Sequence, residues 1–409
     1  MTRRSLWMGA TAGLICVFML RDSIKVATQT IPGGSGTAPA AQAGGAAVPL
    51  SSAIWAGDTL YISGKGSRDP QTGKHPEGFE AQVRQALENC GISLKEAGLS
   101  FADVVNSNVY LTDIKNFPAM NKVYKTYFAQ NPPARTTIAV PALPGDSQVE
   151  ITFIASRSAD RKYLFPEGLK ASPNDLYTLG VMAGEFLYLS GQGSRHYLSK
   201  EFPSGSFDAQ VRQTLENLSA VLKAAGLDFS NVVKSDVYLT DMANFEKMNE
   251  VYKTYFKSDR PVRATVGVAA LPGEIPIEIT LVAAKNTATA RKIVTPEGTP
   301  PGMPFSPAIL LGDRLFLSGK AGFAKGGVEA QVKEVMDGQG VVLKAAGLDF
   351  SDIVEGKVYL ADIQDYGAMN QVYGSYFKGS RPSRTCIAIS KLVGDSRVEI
   401  SFVASRKSR

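Results

Sequence analysis

Apolar and polar positions recur along this chain in one repeated order. Thr59-Leu60-Tyr61-Ile62-Ser63 is β-branched and aromatic and runs into Gly64, which predicts a strand. A Gly/Pro/Asp-rich loop follows to about Gly78, and a helix begins near Phe79. Further on, Val211, Leu215, Leu218 and Leu222 are spaced four, three and four residues apart, one helical stripe that stops at Gly226, a natural C-cap. Asn231 to Leu239 reads as a strand. Ala243 to Phe256 reads as a second helix with Phe245, Met248, Tyr252, Tyr255 and Phe256 on its apolar side. Val262–Leu271 and Ile275–Ala283 read as two strands joined at Leu-Pro-Gly, that is, a hairpin. With one strand in front, the unit is β-β-α-β-α-β-β.

That unit occurs three times. Val109-Tyr110-Leu111 returns as Val237-Tyr238-Leu239 and Val358-Tyr359-Leu360, at offsets of 128 and 121 residues (238 − 110 and 359 − 238). Met120-Asn121, Met248-Asn249 and Met369-Asn370 follow the same offsets. The domains predicted are residues 48–160, 161–289 and 290–409. Strands and helices mix without a βαβ nucleotide fingerprint, so the class is α+β with helices on one sheet face. The bare face is covered if three copies pack around a quasi-threefold axis as a pseudo-trimer. Gly338 and Gly340 fall inside the long helix of the third copy, which predicts a weaker helix there.

Composition narrows the chemistry. The 409 residues carry 44 basic and 38 acidic side chains, a net charge of +6 with no basic stripe, so nucleic acid is not favoured as a partner. Cys16, Cys90 and Cys386 stand at non-equivalent places and suggest no disulfide. Two histidines, His75 and His196, argue against a His-built metal centre, and no cofactor motif appears. Both are expected to be solvent-exposed loop residues. Arg3 and Arg4 precede an apolar run from Leu6 to Leu20, shorter than a membrane span. Residues 1–23 therefore read as an export signal or an uncleaved anchor, and 24–47 as a flexible Gly/Ala/Pro linker. Export to the periplasm or beyond, or anchoring, is expected, with the cytoplasm as the alternative. The membrane enters only through this segment.

One pair of residues could carry chemistry. Arg135 and Glu150 are 15 residues apart, as are Arg263 and Glu278, and Arg384 and Glu399. If the last two strands form a hairpin turning on Pro144-Gly145, the Arg and Glu of one copy share a face about 13–14 Å apart and flank a cavity. An Arg fork suits a carboxylate, and a Glu opposite can hold or deprotonate a water. The simpler reading is a structural ion pair or surface strand residues. Cys386 is expected to be a buried core thiol, Tyr124, Tyr127 and Phe128 core aromatics, and the Gly-rich 322–327 stretch a shortened loop with no phosphate-cradling role.

Pro-x-Arg, Leu-Pro-Gly-Asp and Val-Glu-Ile, with the Ser-Gly-Gln/Lys strand end and Val-Tyr-Leu-Thr-Asp…Phe…Met-Asn-x-Val-Tyr, resemble the RidA (YjgF-type) family over residues 48–409. The resemblance implies a chorismate-mutase-like fold, trimeric assembly and ligand clefts between units. It implies hydrolysis of reactive 2-imino or 2-enamino acids to 2-oxo acids and ammonia, without metal or cofactor. It implies that Arg135, Arg263 and Arg384 grip the substrate carboxylate and that Glu150, Glu278 and Glu399 hold the attacking water. Ser63, Ser190 and Ser318 match the strand-end serine, and Asn121, Asn249 and Asn370 match an asparagine at the cleft. Tyr177 matches the family tyrosine, with Phe305 and Leu50 in the other copies. Cys386 matches a cysteine two residues after the Arg, with Thr137 and Thr265 elsewhere. Gln192 follows its Ser-Gly, where Lys65 and Lys320 stand in the other copies. No copy has the full set, so the clefts should be unequal, and one combining two adjacent copies is the candidate for the competent site. A non-catalytic carboxylate-binding or interaction module is the competing reading. An endoribonuclease is a weaker one, since no repeated His exists to serve phosphodiester transfer.

Overall fold

The computed structural model describes residues 48–172, 175–285 and 290–406. The expected leader at 1–23 and linker at 24–47 lie outside the described residues. Among the described residues no helix is long and apolar enough to cross a membrane.

The first repeat contains β1 (Ala53–Ala56), β2 (Thr59–Ile62), β3 (Lys65–Gly66), α1 (Phe79–Glu96), β4 (Val104–Leu111), α2 (Phe117–Tyr127), β5 (Ala134–Ala139) and β6 (Val149–Ser156). The second contains β7 (Arg161–Leu164), β8 (Gly180–Ala183), β9 (Phe186–Leu189), β10 (Gln192–Gly193), α3 (Phe207–Ala224), β11 (Val232–Leu239), α4 (Phe245–Tyr255), β12 (Val262–Gly267) and β13 (Ile277–Ala284). The third contains β14 (Arg291–Val294), β15 (Ala308–Leu311), β16 (Arg314–Ala321), α5 (Val328–Ala345), β17 (Ile353–Leu360), α6 (Tyr366–Ser375), β18 (Ser383–Ala388) and β19 (Val398–Ser405). The element order is the expected one, with an added leading strand in the second and third repeats. The stripe Val211, Leu215, Leu218 and Leu222 is fully buried against its own sheet. Gly226 ends the helix as expected, with φ +71° and the next amide, that of Leu227, donating back to the Leu222 carbonyl.

Two expectations are corrected. The strands flanking Leu-Pro-Gly do not form a hairpin. In the first sheet the order is β1-β2-β6-β4-β5, so β4 lies between them, parallel to β5 and antiparallel to β6. The reason is the β4-α2-β5 crossover, which delivers β5 parallel to β4 on its far side. The chain must then pass over the end of β4 to reach β6. In this register Arg135 lies beside Ser107 and Glu150 beside Tyr110, and these positions alternate. The Arg and Glu of one repeat therefore point to opposite faces and do not flank one cavity. The long helix of the third repeat, where the glycines predict a weaker helix, has the same 18 residues as α1 and α3. Gly338 leaves room for a lysine stem, since a Cβ there would fall 2.1 Å from Lys320 Cε.

The helix-free faces of all three sheets meet. One buried cluster joins Tyr61, Ile154, Val181, Tyr188, Ile309 and Phe316, and a second joins Tyr110, Ile138, Tyr238, Val266, Tyr359 and Ile387, each drawing on all three repeats. Backbone bonds link the strand ends around the ring: Ala139 N–H to Ala270 O, Gly267 N–H to Lys391 O and Ala388 N–H to Ala142 O. Between the clusters lies a buried charged set. Lys357 Nζ donates to Asp236 at 2.9 Å, and Lys234 lies 3.7 Å from Asp236 and 3.8 Å from Glu355. The matching positions of the first repeat are Asn106 and Asn108, whose side chains bond each other at 3.3 Å.

Candidate active site

Each repeat leaves the outer edge of its Arg-bearing strand, β5, β12 or β18, unpaired within its own sheet, and the next repeat covers it. Arg135 N–H donates to Ser190 Oγ at 2.8 Å, and Gly191 N–H donates to the Arg135 carbonyl at 3.1 Å. Arg263 N–H donates to Ser318 Oγ at 2.9 Å, and Arg384 N–H to Ser63 Oγ at 2.8 Å, which closes the ring from the third repeat onto the first. Each serine hydroxyl also donates to a carbonyl of its own repeat, at Thr178, Ser306 or Ser51. The strand-end serines are therefore staples between repeats, with both hydrogen-bonding roles spent on backbone.

This docking brings each Glu to the Arg of the preceding repeat. Glu278 faces Arg135, Glu399 faces Arg263 and Glu150 faces Arg384. All six side chains are buried. The glycine after each staple serine has a specific duty. A Cβ on Gly64, Gly191 or Gly319 would sit 1.9, 1.9 or 2.0 Å from the facing glutamate's Oε1, so only a bare Cα leaves space for the carboxyl group. The Ser-Gly pair is thus explained residue by residue: a staple, then a recess.

Burial dominates the charge state here. It pushes the Glu150, Glu278 and Glu399 carboxyls up to about 8, against the opposing pull of the facing Arg in each case. For Glu278 and Glu399 a backbone amide, of Thr137 or Thr265, adds a smaller opposing pull. At neutral pH these groups are largely protonated.

The guanidiniums are caged by aromatic rings. Arg135 Cζ lies 4.8 Å from the Tyr124 ring centroid, 5.2 Å from Tyr177 and 5.7 Å from Phe117. Arg263 has Tyr252, Phe305 and Phe245 at 4.9, 5.4 and 5.9 Å. Arg384 has Tyr373 and Tyr366 at 5.0 and 5.7 Å. Ring faces stabilise the cation in place of water. What the rings cannot supply is a hydrogen-bond acceptor. The Nη1 of each Arg is buried without a protein partner. Each site thus pairs a desolvated cation that has a spare donor with a neutral glutamate, a combination chemically suited to a small anion.

The cleft between the first and second repeats encloses about 210 Å³ and is lined by Phe117, Arg135, Thr137, Tyr177, Gln192 and Glu278, with His196 and Lys200 of the second repeat's long loop also on its wall. Tyr177 and Gln192 thus meet Arg135 in one place, although they belong to different repeats. Lys65 and Lys320, at the Gln position elsewhere, turn to the helix side: Lys65 Nζ donates to Ser52 Oγ, and the Lys320 stem rests on Gly338. Asn249 Oδ1 accepts from Arg263 Nη2 at 2.7 Å, while the carboxamide oxygens of Asn121 and Asn370 are buried without a protein partner. Cys386 is a core residue, and burial pushes its thiol up to about 12, which keeps it protonated and poorly nucleophilic. The histidines are half-buried, not exposed as expected: His75 is held by Ser67 Oγ and the Gly145 carbonyl, and His196 stacks on Tyr197. The Gly-rich 322–327 loop presents the Phe323 and Ala324 amides to Glu334, so a carboxylate of its own chain occupies that pair of donors.

The ring cage was not among the features expected from the sequence. Phe117 and Tyr124 are seven residues apart, two helical turns, and so share one helix face, as do Phe245 and Tyr252, and Tyr366 and Tyr373. That spacing was a usable signal. Tyr124 is a core residue whose ring also faces the Arg135 guanidinium.

Against known proteins, the family profile described as endoribonuclease L-PSP matches residues 40–157, 169–285 and 297–406. The human 2-iminobutanoate/2-iminopropanoate deaminase is 42% identical over 117 residues, 29% of this chain and 85% of that protein. Protein DfrA of Myxococcus xanthus is 46% identical over 103 residues, 25% of this chain and 79% of its own. The crystal structure of the YjgF gene product from E. coli is 33% identical and covers 31% of this chain and 99% of its own, with a TM-score of 0.29.

Proposed function

Since this chain belongs to the endoribonuclease L-PSP family, the RidA/YjgF type, with its unit present three times over, we propose that it hydrolyses small 2-imino acids to 2-oxo acids and ammonia in the clefts between its repeats. The observation that carries this reading is the set of three buried guanidiniums whose Nη1 donors have no acceptor in the protein. A substrate carboxylate supplies that acceptor, and a bidentate grip of this kind is worth about 1.5–3 kcal/mol.

The Arg135 grip places C2 of the substrate toward Glu278. The protonated carboxyl of Glu278 gives its proton to the imine nitrogen, which makes C2 a better electrophile. The resulting carboxylate takes a proton from the water that adds to C2 and passes it to the departing nitrogen. The C–N bond breaks as the C=O bond forms, ammonia leaves, and the hydroxyl proton of the adduct returns to the carboxylate, so the glutamate ends as it began. A carboxyl held near 8 can work in both directions close to neutral pH. The ring cage and the 210 Å³ cavity suit a short aliphatic 2-imino acid and are small for a polynucleotide. That argues against the ribonuclease reading.

The test is turnover of 2-iminobutanoate generated in situ by an amino-acid oxidase. The Arg135→Ala/Arg263→Ala/Arg384→Ala chain should lose roughly 10- to 100-fold or more in kcat/KM, the equivalent of one carboxylate grip per site. Unchanged turnover overturns the proposal. Binding of 2-oxobutanoate without any turnover by the parent chain would select a carboxylate-binding module instead.

A further inference from the structure

The three clefts differ in where they carry a ring hydroxyl. Residues at the start of α2, α4 and α6 place an aromatic ring 5.7, 5.9 and 5.7 Å from the Arg of their own repeat, but these residues are Phe117, Phe245 and Tyr366. On the opposite wall, the residue before the Thr178, Ser306 or Ser51 amide that bonds to Pro133, Pro261 or Pro382 is Tyr177, Phe305 or Leu50. The hydroxyl thus comes from the strand side in the first–second cleft, from the helix side in the third–first cleft, and from neither wall in the second–third cleft. Tyr366 is well placed to use it. Its oxygen accepts from Arg384 Nη2 at 3.3 Å and is hydrogen-bonded by Asn370, which leaves the O–H to donate into the cleft. Burial raises its pKa, with Arg384 opposing and Glu150 adding to the rise, so the phenol stays protonated beside the Arg384 guanidinium. In the second–third cleft Asn249 takes up one Arg263 donor directly.

Resting on the deaminase reading, we propose that the third–first cleft is a second working site, in which Tyr366 positions the substrate from the helix as Tyr177 does from the facing strand. The second–third cleft, with phenylalanine on both walls, holds a carboxylate but turns over slowly.

The natural replacements make the test gentle, because phenylalanine already occupies the Tyr366 position in the other two repeats. In a full-length chain carrying Arg135→Met and Arg263→Met, only the third–first cleft keeps its Arg. It should turn over 2-iminobutanoate, and Tyr366→Phe should lower kcat at least fivefold while 2-oxobutanoate affinity stays within threefold. In the chain carrying Arg135→Met and Arg384→Met, turnover should be low and should rise severalfold on Phe245→Tyr. Tyr366→Phe alone, in the otherwise unaltered chain, should cost about a third to a half of kcat with an unchanged melting temperature. No effect of Tyr366→Phe in either background, while the parent chain is active, overturns this assignment and leaves the deaminase reading standing. A parent chain with no turnover overturns both.

Discussion

Asp236 at the axis and Glu278 in the first–second cleft are both buried carboxyl groups near basic side chains, yet they settle in opposite charge states. Burial acts on both and favours the neutral acid. At Asp236 it is overcome, because Lys357 Nζ touches the carboxylate at 2.9 Å and Lys234 approaches to 3.7 Å, so its pKa lies below the ordinary value. At Glu278 burial wins, because Arg135 acts across open space and the pKa climbs to about 8. Direct contact with a cation, not its mere presence, decides the outcome. The axis is therefore a finished structure, with its charges spent on one another. The clefts are unfinished, and their cations and acids stay available to a ligand.

The same contrast appears when the repeats are compared. The Arg and Glu of the clefts are the same in all three. The axial positions have diverged: Asn106, Lys234 and Glu355 share one level, and Asn108, Asp236 and Lys357 share the next. Each level carries one neutral, one positive and one negative side chain. Three copies of the second repeat alone would put three lysines at one level and three aspartates at the other. The axis thus favours the mixed ring, a use of buried charge for specificity.

Breaking the axis gives the largest expected effect. Asp236→Ala leaves Lys357 buried without its carboxylate and Lys234 with Glu355 alone, and should cost about 3–5 kcal/mol in urea unfolding. Asp236→Asn combined with Lys357→Asn restores the uncharged first-repeat residue at both places and should recover most of that loss. A cost below about 1 kcal/mol for Asp236→Ala would mean that the axial charges are solvated and do not hold the repeats in register. Breaking a cleft is gentler. Gly191→Ala drives a methyl group into Glu278 Oε1, 1.9 Å away, and should cost about 1–3 kcal/mol by overpacking. It should also lower turnover by the share of the first–second cleft. Wild-type stability and turnover together would show that Glu278 does not occupy that recess.

The repeat, the element order and the helical stripes were legible in the sequence, because local periodicity fixes them. Strand neighbours were not. Leu143-Pro144-Gly145 has the composition of a hairpin turn, and nothing local in it reveals that β4 will occupy the space between β5 and β6. That one misreading also inverted the face of Glu150 and hid its partner, Arg384, 234 positions away (384 − 150). The residue types of the site were legible, but their pairing between repeats was not, since which edge docks on which face is a property of the closed ring. The axial charges did leave a signal. Lys234-x-Asp236 and Glu355-x-Lys357 interrupt matched, otherwise apolar strands with opposite signs, and such complementarity has a use only if the two strands meet.

The effect spread over the widest range of conditions separates the two settings by pH. Glu278 has a folded pKa above its unfolded value, so its stabilising share is complete below about 4.5 and is lost as pH rises through about 8. Asp236 has a lowered folded pKa, so its share is present above about 3.8 and is lost as pH falls through the folded value. The cleft thus weakens the fold on the alkaline side and the axis weakens it on the acid side. Glu278→Gln keeps the shape of the neutral acid and cannot ionise. It should reduce the fall in stability between pH 5 and 8 by at most about 1.4 kcal/mol per pH unit and leave the acid limb unchanged. If urea midpoints of the variant and the parent run parallel across that window, Glu278 is already ionised at pH 5, and a carboxyl that gives its proton to the imine is not present in the cleft.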